Sequence, residues 1–212
     1  MRNKSTPPLS CIKERALQGL GFLLCGLMSG TVHAQSPGQA VMPRQLFAGS
    51  LLNAHAPDSA GWFLAGAGNN GLAFARRGAE QNETYAAQII LFKLPPTRGN
   101  EEFVEVIKGR VDMINPPSRF AELEPKYEYT DHRGYPCVRY RSVYNDKEAL
   151  TTSGTREPMK LQVVSLYCRH PSQQEVGFFA AYSHRGANTD PDLDVPAQRF
   201  IDGVQVPQQS ND

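Results

Sequence analysis

Cysteine is scarce in this chain, net charge is nearly absent, and no apolar run is long. Its 212 residues include 4 cysteines and 1 tryptophan, with 22 Lys+Arg set against 21 Asp+Glu for a net charge of +1. That balance gives no whole-protein field to draw in nucleic acid or an anionic membrane surface. Hydrophobic residues at 40% and charged residues at 20% exclude both a disordered polyelectrolyte and a polytopic membrane protein. The length suits one domain, or one domain with a processed segment. There is no internal repeat and no low-complexity block. No G-x-S-x-G nucleophile elbow occurs, nor H-E-x-x-H, nor a C-x-x-C pair.

The sequence does carry an asymmetric N-terminus. Arg2, Lys4, Lys13 and Arg15 give a basic start, and Leu17–Met28 is apolar. Val32 and Ala34 then hold the small-residue positions of a cleavage site. This is the layout of a secretory signal peptide over residues 1–34, with cleavage after Ala34. Its apolar core is well short of the roughly 20 residues a membrane-spanning helix needs. Lipidation at Cys25 fits less well, because Leu24 is bulky where a lipoprotein signal has a small residue. Cleavage removes four basic residues and one acid, so the charge becomes −2. Cys11 and Cys25 also leave, and Cys137 and Cys168 remain. Two cysteines in an exported chain are most simply one disulfide.

Residues 35–59 read as an extended arm with a short helical turn near Leu46–Leu52, residues 60–206 as one domain, and residues 207–212 as a disordered tail. Strand-like segments flank Asn69-Asn70-Gly71, which is hairpin chemistry because Asn and Gly tolerate positive φ. Thr84–Leu94 is a β-branched and aromatic strand stopped by Pro95-Pro96. Asn100–Ile114 is the clearest helix. Asn100 is placed to cap it, Glu101 and Glu102 sit in its first turn, and Phe103, Ile107, Val111 and Ile114 share a face. Further strands are expected at Lys126–Thr130, Tyr135–Tyr144, Lys160–Arg169 and Val176–His184, with a tight turn at Asp131–Gly134. A short helix near Pro196–Gly203 closes the chain.

The cysteines test this arrangement. If Tyr135–Tyr144 pairs antiparallel with Lys160–Arg169 through a loop near Asp146–Pro158, Cys137 faces Cys168. Val138, Tyr140 and Tyr144 then share one apolar face with Leu161, Val163 and Tyr167, while Arg139 and Arg141 lie on the other. On a chain-entropy basis, a bridge closing a loop of this size stabilises by roughly 3–4 kcal/mol. The expected class is α+β: a mostly antiparallel, sandwich-like sheet with one central amphipathic helix and a short C-terminal helix. From Trp62 to Val204 this element order resembles the PsbP-like fold of photosystem accessory subunits and of small envelope lipoproteins such as DcrB. The resemblance implies a noncatalytic envelope or accessory protein and carries over no functional residue.

Several motifs invite sharper readings. Gly66–Gly71 matches G-x-G-x-x-G, but strand-like residues follow it where a dinucleotide site needs a helix, so it reads as a hairpin turn. Ser153 falls in a loop and Ser165 inside a strand. His55 and His132 show no ligand spacing. His170 and His184 end neighbouring strands and could meet Glu175 at a sheet edge, but solvated strand-end histidines are the better reading. Asp190, Asp192 and Asp194 alternate like a calcium loop but lack its glycine and distal glutamate. Arg139 and Arg141, with Arg169 nearby and Arg133 and Arg185 on the same meander, are the candidate anion-binding residues. No metal and no cofactor is expected, and nucleic acid is disfavoured. The expected role is a periplasmic or secreted noncatalytic binding or accessory protein. Its expected partner is an envelope protein or a small anionic ligand, and the mature chain keeps no transmembrane segment. The alternatives are an envelope hydrolase whose site assembles only in three dimensions, or a small-ligand carrier using the Arg139/Arg141 face.

Overall fold

The computed structural model describes residues 38–207. The signal peptide with its cleavage site, Cys11, Cys25 and the last five residues lie outside the described residues. In chain order the elements are β1 (Gln39–Ala40), β2 (Leu46–Ala48), β3 (Asn53–His55), β4 (Phe63–Gly68), β5 (Gly71–Arg77), β6 (Thr84–Lys93), α1 (Asn100–Ile114), β7 (Phe120–Glu122), β8 (Lys126–Thr130), β9 (Cys137–Leu150), β10 (Arg156–Arg169), β11 (Val176–Gly186) and α2 (Asp194–Asp202). The main sheet runs β1-β4-β5-β6-β11-β10-β9-β7, and β8 pairs another stretch of β9. Its neighbours are all antiparallel. This is an α+β fold dominated by an antiparallel sheet.

Period-two alternation splits the core between the two sheet faces. On β11, Phe178, Ala180 and Tyr182 join Trp62, Phe74, Val164 and Leu166 beneath Phe200 and Ile201 of α2. Phe179 and Ala181 point the other way, joining Phe92, Val138, Tyr140, Tyr144 and Tyr167 beneath Phe103, Ile107 and Val111 of α1. The helices therefore cover opposite faces.

Cys137 and Cys168 are direct partners across β9 and β10 and form a disulfide, with their Cα atoms 4.1 Å apart. Both are buried on the α2 face. The register that opposes them also opposes Val138 to Tyr167 and Tyr144 to Leu161.

Other segments depart from the sequence-based expectations. The expected helical turn near Leu46–Leu52 is instead the β2–β3 hairpin. Phe47 there packs 5.3 Å from Phe74, and Ala54 and Ala56 are buried in the core. Asn53 and Gln205 exchange backbone bonds of 2.8 and 2.9 Å, so this stretch belongs to the domain's packing. Most of the expected Asp146–Pro158 loop is strand, and only Thr151–Thr155 turns. Polar residues of this segment find partners: Arg156 pairs with Glu148 at 2.7 Å across the ladder, and Asp146 with Arg119 at 2.8 Å. β7 is a three-residue strand without a sequence signature, formed against Asp146–Tyr144. Asn100 does not cap α1. Gly99, at φ 147°, precedes the helix, and Glu102 accepts the Arg98 amide at 2.6 Å. Asn69-Asn70 does form the β4–β5 hairpin turn, but without positive φ. No helix among the described residues is long and apolar enough to cross a membrane.

Candidate ligand-binding site

The arginines singled out by sequence do not form one site. Arg139 and Arg141 share the α2 face, where Arg141 makes an ion pair with Asp194 at the start of α2. Arg169 lies on the opposite face, its guanidinium 5.6 Å from the Phe103 ring. It is 7% exposed and donates to the Gln174 carbonyl, to the Pro95 carbonyl at 3.1 Å and to Thr97 Oγ1 at 3.0 Å. Burial pushes its pKa down. Its donors hold a loop together, and the expectation that it joins Arg139 and Arg141 in an anion site is corrected. Arg133 donates to the Val204 and Ile201 carbonyls at 2.9 Å, closing the end of α2. Arg185 lies 3.2 Å from Asp146.

The histidines also separate. His170 is buried, with Nδ1 accepting the Ser172 amide at 3.3 Å and Nε2 3.2 Å from the Leu51 carbonyl. Its polar atoms are occupied, although it borders a small hollow of about 180 Å³ with Arg169. His184 sits opposite Gln162, far along the ladder from His170, so no His170–His184–Glu175 group forms. It is 3% exposed rather than solvated. Asp190 accepts from Tyr85, and Asp194 turns to Arg141, so the alternating carboxylates diverge. Among the described residues no group of three or more metal-ligating side chains assembles. Gly66–Gly71 lies in the β4–β5 hairpin.

A cluster that sequence reasoning missed lies at one end of the α2 face, where the neighbouring ends of β5, β6 and β11 meet the residues before β4. His184 Nε2 is 2.8 Å from Glu83 Oε1, and the Tyr85 hydroxyl donates to Asp190 at 3.0 Å and to Glu83 at 3.3 Å. Burial pushes the Glu83 carboxyl upward, but the Glu80 amide and His184 outweigh it and hold its pKa below the usual range. Burial and the facing Asp190 raise the Tyr85 phenol. Arg76 Cζ lies 4.5 Å from the Tyr85 ring and 5.3 Å from the Trp62 ring. Ser59 Oγ accepts from both Arg76 Nη1 and Trp62 Nε1 at 3.0 Å. In front of this cluster opens a cleft of about 850 Å³, bordered by Phe63, Arg76, Arg77, Glu80, Glu83 and Tyr85. The hollow is broad and open to solvent. The one signal in the sequence was the sole tryptophan, 14 residues before an arginine pair at the end of a strand.

No family model matches the chain, and no curated protein matches it. Among solved structures it is similar to the chain titled "Protein Mog1 E65A mutant", at 12% identity and a TM-score of 0.43, covering 81% of this chain and 96% of that one. At that level the likeness assigns this chain neither a fold family nor a function.

Proposed function

We propose that this is an exported, noncatalytic binding or accessory protein of the cell envelope, stapled by one disulfide. Its sandwich-like body would be of the kind the PsbP-like and DcrB-like resemblance implies. The observation that carries the reading is the Cys137–Cys168 bridge, buried and formed between directly opposed residues. Such a bond persists in oxidising compartments and is rare where glutathione keeps thiols reduced. The basic-then-apolar leader ending at Ala34 supports the same compartment.

The Glu83–His184 pair favours binding over hydrolysis. A hydrolytic histidine bridges an acid and a nucleophile, whereas His184 Nδ1 is buried with no partner. The cleft supports the small-ligand form of the reading, relocated from the Arg139/Arg141 face to Arg76. Mass spectrometry of the exported protein should give an N-terminus at Gln35, and unfolding without reductant should leave no labelled thiol in it. A retained Met1 defeats cleavage after Ala34, and labelled Cys137 and Cys168 defeat the disulfide on which the export reading rests.

A further inference from the structure

The cleft beside Arg76 is bordered by a guanidinium that is held between two aromatic rings and has no carboxylate partner among the described residues. Arg119, Arg133, Arg141, Arg156, Arg185 and Arg199 each meet a carboxylate. Arg76 meets none. Its Nε is buried and lacks a hydrogen-bond partner, and only Nη1 is engaged, by Ser59. A half-buried charge is ordinarily paired, because desolvation without a partner is costly. Glu83 does not serve as that partner: Oε1 is taken by His184 and Tyr85, and Oε2 by the Glu80 amide. The rings of Trp62 and Tyr85 flank the guanidinium, so less side-chain entropy remains to be lost on binding.

We infer that this cleft binds a small organic carboxylate with an apolar body. The carboxylate would lie on the Arg76 fork, with Arg77 at the rim as a second cation. The apolar body would rest among Phe63, Ala60 and Ala79. A planar guanidinium suits a planar carboxylate bidentately. Glu80 and Glu83 border the same cleft, so a dianionic phosphate meets more repulsion than a monoanion. This inference deepens the binding-protein reading and rests on it. The two fail separately, because thiol accessibility tests the compartment and ligand titration tests the cleft.

Trp62 is the only tryptophan in the chain and shares Ser59 with Arg76, so its emission reports on the site. The experiment titrates the oxidised protein with N-acetyl-leucine, N-acetyl-leucinamide and inorganic phosphate, following Trp62 fluorescence. The expected result is a saturable change with N-acetyl-leucine, binding at least about tenfold weaker for the uncharged amide and for phosphate, and a similar loss in Arg76→Lys, which keeps the charge but removes the fork. No saturable change with N-acetyl-leucine overturns the inference. So does equal binding of the amide, tighter binding of phosphate, or unaltered binding by a folded Arg76→Lys. The three-ligand comparison uses the unaltered protein and decides the question even if the variant does not fold.

Discussion

The two faces of the sheet share β9, β10 and β11 but are closed by different means. The α1 face is covered by one 15-residue helix with no side-chain cap, held by Phe103, Ile107 and Val111 against a floor rich in tyrosine. The α2 face is covered by several short pieces, each tied by polar bonds. Arg133 holds the end of α2, Arg141 its start, Arg199 reaches Asp58 at 2.9 Å, and Asn53 pairs with Gln205. A continuous apolar lid leaves no seam, whereas a cover assembled from pieces has margins. The cleft lies at one of those margins.

The largest effect should come from the helix held chiefly by apolar burial. Phe103→Ala is expected to cost about 3–5 kcal/mol in urea denaturation. Phe200→Ala should cost less, because Arg133 still clamps α2 after the ring is lost. Equal losses would remove the distinction between the faces. Next, Cys137→Ala with Cys168→Ala should cost roughly 3–4 kcal/mol in the same assay, against an oxidised reference.

Asp146 tests the rim of the α1 face. It is fully buried and accepts from Arg119 at 2.8 and 2.9 Å. Burial alone would raise its pKa, but Arg119 and Arg185 outweigh that and hold it below the ordinary value. A depressed folded pKa contributes stability that is present above the unfolded carboxyl value and is lost as pH falls through the folded one. Asp146→Asn should therefore cost about 2–3 kcal/mol at neutral pH. It should also flatten the acid limb of a stability-against-pH curve, and an unchanged limb would remove Asp146 as its source. The smallest effect is expected at Arg141→Gln. Its ion pair with Asp194 is 44% and 55% exposed, so thermal melts should move by no more than about 0.5 kcal/mol equivalent.

Where a single periodicity governed the outcome, the sequence was readable. The α1 range, the β9–β10 register and the opposed cysteines all follow from apolar residues recurring every 3.6 or every 2 positions. Polar composition misled at Asp146–Pro158, because a ladder whose side chains pair with one another resembles a loop when each residue is read alone. The Leu46–Leu52 hairpin was hidden because its strands are three residues long and are fixed by Phe74 and Gln205, both distant in sequence. Arg169 shows the limit for arginines: one that donates to carbonyls and one that awaits a ligand are the same letter. The cleft was illegible for a related reason. Glu83 and His184 are 101 residues apart, and only the β6–β11 pairing brings them together.

The disulfide joins residues that already face one another in adjacent strands, so it acts as a covalent rung in the sheet's longest hairpin. For an oxidised chain that has lost its fold, the β9–β10 register is one it does not have to find again. Slipping β9 by one residue would send Tyr140 and Tyr144 from the α1 face to the α2 side. The rung therefore acts as a memory of handedness: it preserves, through unfolding, which side chains belong to which face.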